Sequence, residues 1–128
     1  SCHTIFDNLD RFDPGKHFLL PEDGMIYPEA KVTFFAGETV FDVLRRETRD
    51  KGIHMEFNAN PLLKSSYVEG IHNIYEFDCG ELSGWTYKVN GIGSSVGSSS
   101  YPLSDGDVIE WLYTCDRGKD VGVVAPAQ

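Results

Sequence analysis

Residues 83–91, with the sequence SGWTYKVNG, constrain the fold more than any other stretch of this chain. Trp85, Tyr87 and Val89 alternate with polar residues, and this period of two predicts a half-buried strand with one aromatic face. The Asn-Gly pair that ends the segment is typical of a tight hairpin turn. Any fold for this chain must therefore place an aromatic strand against a partner surface.

A second aromatic strand is predicted at residues 108–114, VIEWLYT, after the turn sequence SDGD. Trp111 lies in its middle, between Ile109 and Tyr113, and we expect it to anchor the core. A loop rich in serine and glycine, residues 91–100, joins the two strands. Such a pair of strands can form a platform for a ligand or the inside of a hydrophobic core, and the pattern alone leaves both open.

The size and charge of the chain exclude several classes of function. Its 128 residues suffice for one domain with a core of its own. The net charge of -9 opposes binding to nucleic acid and to anionic membranes, which both require clustered Lys and Arg. No apolar run approaches the ~20 residues that span a bilayer, so we expect no membrane insertion by this segment, and we see no signal or anchor in it.

The three cysteines, Cys2, Cys79 and Cys115, leave the redox state open. An odd number means that at least one is free unless it pairs between chains, and the sequence selects none of the three intramolecular pairings. Buried thiols and a single disulfide in an exported protein are the two interpretations. The spacing fits neither a zinc ribbon nor a thioredoxin-like motif.

One helix is predicted from residue 39 to about residue 51. Thr39 is a good N-cap, and Asp42 three residues later completes a capping box. Val40 and Leu44 should be buried. Arg45 and Arg49 should be largely exposed.

The remaining elements are predicted to be extended. Further strands are expected at residues 2–6, 31–36 and 53–57, and at 67–77 with a break at Gly70. The order of strands, one helix and more strands indicates an α+β fold, in which one helix packs on a mixed sheet of four or more strands. A β-grasp accommodates this order.

Three motifs in sequence resemble a known family: GETVFDVL at residues 37–44, SGWTYKVNG at 83–91 and GDVIEW at 106–111. They are similar to those of bacterial modules related to the C-terminal domain of transcobalamin and intrinsic factor. The resemblance covers about residues 2–122. It implies a ubiquitin-like β-grasp domain over residues 1–122, with residues 123–128 as a tail or linker, in an extracellular or cell-surface protein.

The resemblance also implies a function, since the animal domain closes over cobalamin with its aromatic strand and the following loop. We therefore expect a non-catalytic module that binds a small ligand, such as cobalamin or another tetrapyrrole. The expected ligand-binding residues are Trp85, Tyr87, Val89, Asn90, Ile92, Ser94, Ser95, Val96 and Tyr101.

Two alternatives accompany this hypothesis. The chain can be a structural or adhesive module of a bacterial surface protein, with neighbouring domains as its partners. As a minor alternative, Asp105, Asp107, Asp116 and Asp120 can offer oxygen ligands to calcium, although their spacing does not fit an EF-hand.

An enzyme is not expected, because the sequence lacks a nucleophile elbow, a glycine-rich phosphate loop and a zinc-protease helix. Exposure of Trp85 and Tyr87 beside a concave loop would favour ligand binding. Burial of both would favour the scaffold.

Overall fold

A computed structural model describes residues 1–123 of the chain. The predicted helix is present as α1, Val40–Asp50. Its capping box is complete, because Asp42 N donates to Thr39 Oγ1 at 3.2 Å and Thr39 N donates to Asp42 Oδ2 at 2.9 Å. Val40 is fully buried and Leu44 partly so, whereas Arg45 and Arg49 are exposed, as the amphipathic pattern predicts.

The described strands form two small antiparallel sheets rather than one mixed sheet. The strands are β1 Met55–Asn60, β2 Ser65–Ile71, β3 Ile74–Tyr75, β4 Gly84–Val89, β5 Ile92–Gly93 and β6 Ile109–Thr114. The first sheet has the order β1-β2-β3 and the second β5-β4-β6. The prediction of a mixed sheet of four or more strands was therefore wrong, while a mixed α/β domain with few helices was right.

The strand expected at residues 31–36 is absent, and this removes one member of the predicted sheet. Its backbone is bound by side chains instead: Phe35 N donates to Glu38 Oε1 at 2.6 Å, and Arg46 donates to the Thr33 carbonyl. The Phe35 side chain is exposed. Two of its peptide groups thus have side-chain partners, from Glu38 before α1 and from Arg46 within it, in place of a neighbouring strand.

Two other extended predictions were also wrong in detail. Residues 2–6 fall largely within a 3-10 helix, His3–Asn8, whose Thr4 hydroxyl donates to the Tyr113 carbonyl at 2.6 Å. The break in residues 67–77 lies at His72 and Asn73, both with positive φ, rather than at Gly70. Gly70 instead lies inside β2, where the ring of Tyr75 approaches so closely that a Cβ would lie 2.8 Å from it.

Both faces of the second sheet carry buried residues. One face meets the main core, in which Trp85 and Tyr113 pack with Phe41 of α1. Leu112 packs on the other face with Val121 and Val123. Val123 is thus buried within the fold, while residues 124–128 of the predicted tail lie outside the described residues, and the domain boundary at residue 122 stays a prediction.

Trp111 has a different place in the core from the one expected. It is partly buried, and it packs against both the main cluster and a second cluster of Val40, Tyr87 and Val89. The fully buried aromatic residues of the two strands are Tyr87 and Tyr113. Trp111 therefore bridges two clusters at the edge of the core.

The capping box offers a direct test of the helix start. Thr39→Ala removes the oxygen that accepts from Asp42 N, and we expect the free energy of unfolding in urea to fall by about 1 kcal/mol. Thr39→Ser keeps the oxygen and serves as the matched control, so it should stay close to the parent. Equal stability of the alanine and serine variants would contradict this role of Thr39.

Candidate functional site

Trp85, the centre of the predicted ligand platform, is a core residue. Its side chain is only 3% exposed, and its indole Nε1 donates to the Ile74 carbonyl at 2.8 Å. Its ring meets Tyr113 of β6 edge-on, with centroids 5.3 Å apart. The indole N–H is therefore committed to a backbone carbonyl, and the flat face of the ring is covered by protein.

Tyr87 is buried in the same way on the second cluster. It has no exposed surface, and its hydroxyl donates to the Val96 carbonyl at 2.5 Å. Its ring packs on Trp111 at 5.4 Å and on Tyr101 at 6.2 Å. Burial raises the pKa of this phenol above its ordinary value, because the charged form would lose its hydration.

Val89 is the last residue of β4, and Asn90 begins the turn that follows. Val89 is buried in the cluster of Val40 and Tyr87. Asn90 has a φ of 54° and holds the neighbouring turn: its Nδ2 donates to Asp107 Oδ1 at 3.0 Å, and its Oδ1 accepts from Val108 N at 2.8 Å. The amide is therefore used within the turn, as expected for an Asn in the left-handed region.

The loop after β4 presents the accessible part of the predicted site. Ile92 is 72% exposed, and Ser95 and Val96 are also exposed. Ser94 turns inward and accepts a hydrogen bond from Val96 N at 3.1 Å, while Tyr101 is half-buried against Tyr87. Of the nine predicted residues, the structure thus brings Tyr87, Val89 and Tyr101 together in the core and leaves the tip of the loop on the surface.

A groove next to β4 was missed by the sequence analysis. It has a volume of about 440 Å³, and Trp85, Gly97 and Thr114 lie along it. Its rim carries three exposed apolar side chains and three charged ones: Tyr67, Phe77, Leu82, Glu76, Glu81 and Arg117.

Phe77 is the most unusual residue of this groove. It is 62% exposed and has a φ of 71°, which a bulky side chain rarely adopts. The turn is held by the bond from Phe77 N to the Ser83 carbonyl at 3.0 Å. Beside it, the hydroxyl of Tyr67 donates to Glu76 Oε2 at 2.6 Å. The nearest sequence signal is an apolar residue in a turn just before DCGELSG, and periodicity alone does not reveal it.

Two of the four acidic residues considered for calcium, Asp107 and Asp120, serve as local hydrogen-bond acceptors. Asp107 accepts from Ser104 N at 2.9 Å, which lowers the pKa of its carboxyl. Asp120 accepts from Cys115 N at 2.8 Å and from the Thr114 hydroxyl. Among the described residues, no three His, Cys, Asp or Glu side chains are grouped to hold a metal ion.

A hydrogen-bonded row of His54, Tyr75 and Glu56 most resembles catalytic machinery. The Tyr75 hydroxyl donates to Glu56 Oε1 at 2.6 Å and lies 2.9 Å from His54 Nε2. The carboxylate raises the pKa of Tyr75 to about 12, so the phenol stays protonated near neutral pH. Since Asn73 N also donates to His54 Nδ1, this row acts as a brace between β1 and the turn before β3.

The segment from the start of α1 to the end of β6 matches a known family. The family is described as a domain of unknown function, DUF4430, and it matches residues 37–115. The chain belongs to this family. The DUF4430 domain thus includes α1, all six strands and most of the groove, while the 3-10 helix His3–Asn8 packs on it from outside the matched range. No curated protein matches the chain. Within residues 1–123, no helix is long and apolar enough to cross a membrane.

The hydroxyl of Tyr87 should contribute to stability. Tyr87→Phe removes the hydrogen bond from this hydroxyl and leaves the Val96 carbonyl without its donor. We therefore expect the free energy of unfolding in urea to fall by about 1–2 kcal/mol. Tyr101→Phe, in the same ring cluster, should change stability by less than about 0.5 kcal/mol. Equal effects of the two substitutions would contradict the bond to Val96.

Stability at alkaline pH should depend on Tyr113. This residue is fully buried, and burial raises the pKa of its phenol, whose hydroxyl donates to the Tyr75 carbonyl at 2.8 Å. Its contribution to the free energy of unfolding is complete below pH ~10, the ordinary pKa of tyrosine. This contribution is lost progressively as pH rises from that value through the raised pKa of the folded chain. Tyr113→Phe should therefore reduce the slope of unfolding free energy against pH above 10 by up to ~1.4 kcal/mol per pH unit.

The control for this measurement is the same comparison below pH ~9, where the phenol of Tyr113 is protonated in both states and Tyr113→Phe should have the slope of the parent. Identical slopes for Tyr113→Phe and the parent above pH ~10 would show that Tyr113 ionises as easily in the folded chain as in the unfolded one.

Proposed function

We propose that this DUF4430 domain is a non-catalytic structural or adhesive module of a bacterial surface protein, with neighbouring domains as its partners. The observation that carries the proposal is the burial of both Trp85 and Tyr87, at 3% and 0% exposure. The indole N–H of Trp85 and the hydroxyl of Tyr87 each donate a hydrogen bond to a backbone carbonyl. A ligand platform needs accessible ring faces and free hydrogen-bonding groups, whereas a scaffold needs both satisfied internally.

Kinship with the β-grasp domain of transcobalamin and intrinsic factor is part of the proposal. It is supported by the order of the motifs and by the position of α1 before the paired aromatic strands β4 and β6. Under this kinship the chain acts outside the cytoplasm, in a secreted or surface-attached protein. The aromatic strands then have a structural role. They do not contact a flat ligand, because Trp85 and Tyr87 are buried and hydrogen-bonded within the domain.

Small-ligand binding is the second candidate, and the groove beside Phe77 favours it. Its volume of about 440 Å³ falls within the range typical of ligand sites. Its exposed apolar side chains, Phe77, Leu82 and Tyr67, are what an apolar or aromatic ligand would contact. Cobalamin or another tetrapyrrole, expected from the resemblance, would meet the rim of the domain rather than the faces of the two strands.

Calorimetry distinguishes the two candidates. A ligand that binds only the folded chain stabilises it by about 2.7 kcal/mol at a hundred times its dissociation constant, which raises Tm by several degrees. We expect differential scanning calorimetry to give the same Tm with and without millimolar cobalamin. This is the result for a structural module without a cobalamin site.

A saturable rise in Tm would overturn the structural proposal and favour the groove. In that case Phe77→Asn should remove the rise, since Asn tolerates a positive φ and takes away the aromatic ring. Phe18→Asn is the matched control, because Phe18 is 82% exposed and does not line the groove. If the rise in Tm persists in Phe77→Asn, the ligand binds to another surface of the domain.

A further inference from the structure

Two of the three cysteines lie at the same end of the β4–β6 pair. Gly84 at the start of β4 pairs with Thr114 at the end of β6, and Cys115 is the next residue. On the β4 side, Cys79 N donates to the hydroxyl of Ser83 at 3.0 Å. The turn before β4 therefore holds Cys79 beside the end of β6.

The sulfur atoms of these two residues share one environment. Cys79 Sγ lies 3.5 Å from the Asn8 carbonyl, and Cys115 Sγ lies 3.7 Å from Thr4 Oγ1. Thr4 and Asn8 lie on the same 3-10 helix, where Asn8 Nδ2 donates to the Thr4 carbonyl. Each thiol also acts on the pKa of the other. The contacts with one 3-10 helix and this mutual effect place the two free sulfurs near each other in the core.

Cys2 is buried in the same core but has other neighbours. The charged groups that act on its thiol include the amino group of Ser1 and the carboxylate of Asp23. Its backbone is fixed by the bond from Cys2 N to the Gly24 carbonyl at 2.8 Å. The described contacts of Cys2 are thus different from those of Cys79 and Cys115.

We propose that Cys79 and Cys115 form a disulfide in the mature protein, with Cys2 remaining a free buried thiol. The oxidant is a second disulfide, either a small one such as oxidised glutathione or that of a thiol–disulfide oxidoreductase. The Cys79 thiolate attacks it, its S–S bond breaks, and the first leaving thiolate takes up a proton. The Cys115 thiolate then attacks Cys79 Sγ and releases the second thiol. Two electrons and two protons thus pass from the cysteines to the oxidant.

The chemistry of the thiols indicates when the bond forms. Burial raises the pKa of both, that of Cys115 to about 12, so little thiolate exists in the folded reduced chain. Both residues have no or almost no exposed surface, which also keeps an oxidant away. The bond therefore forms before the core closes, as expected for a chain that folds in an oxidising compartment. The choice of partners rests on the contacts of the two sulfurs, whereas formation of the bond in the cell rests on the export that is part of the proposed function.

The test is refolding of the reduced chain in a glutathione redox buffer, followed by alkylation in denaturant and intact mass spectrometry. The parent and Cys2→Ala should each lose two hydrogen atoms, and a proteolytic digest should contain one cross-linked peptide that joins Cys79 to Cys115. Cys79→Ala and Cys115→Ala should show no intramolecular bond. The peptide map of the parent decides the pairing even where an alanine variant fails to fold.

A thermal measurement adds a second readout. The bond closes the loop over residues 79–115, so oxidised parent should melt on the order of 10 °C above the same protein kept in reductant. Cys2→Ala should show the same difference. Three alkylated cysteines in the refolded parent, or a cross-linked peptide that contains Cys2, would overturn the assignment.

Discussion

The structure depends on the pairing of β4 with β6. Trp85 lies opposite Tyr113, and Tyr87 lies opposite Trp111, so that each aromatic ring has an aromatic cross-strand partner. Cross-strand aromatic pairs are among the stronger stabilising contacts in a sheet. The N-terminal segment joins this pair through Thr4, whose hydroxyl donates to the Tyr113 carbonyl. The two strands therefore also hold the N-terminal segment in place.

The elements that could be predicted are those with strong local signals. The period of two in β4 and the capping box of α1 are each complete within fewer than ten residues, and both were confirmed. Residues 31–36 have a similar apolar content but no strand partner. Whether a short apolar segment pairs depends on which sheet edges are free in the folded chain, and this is not encoded locally.

For the site, the sequence identified central residues but not their exposure. Alternation shows that Trp85 and Tyr87 point to one side of a strand; it does not show what covers that side. The groups that bind their polar atoms come from other elements, the Ile74 carbonyl for Trp85 and the Val96 carbonyl for Tyr87. The groove was missed for the opposite reason, since Phe77 is exposed through a turn conformation that periodicity cannot report.

The two faces of the second sheet differ in how much surface stays accessible. The main core lies against one face, whereas on the other Leu112 packs with Val121 and Val123 and Glu110 is exposed. The loop that the family resemblance associates with cobalamin reaches the groove through Gly97, which lies along the same cavity as the edge of Trp85. The expected ligand loop and the apolar rim of the groove are therefore adjacent on the surface of the domain.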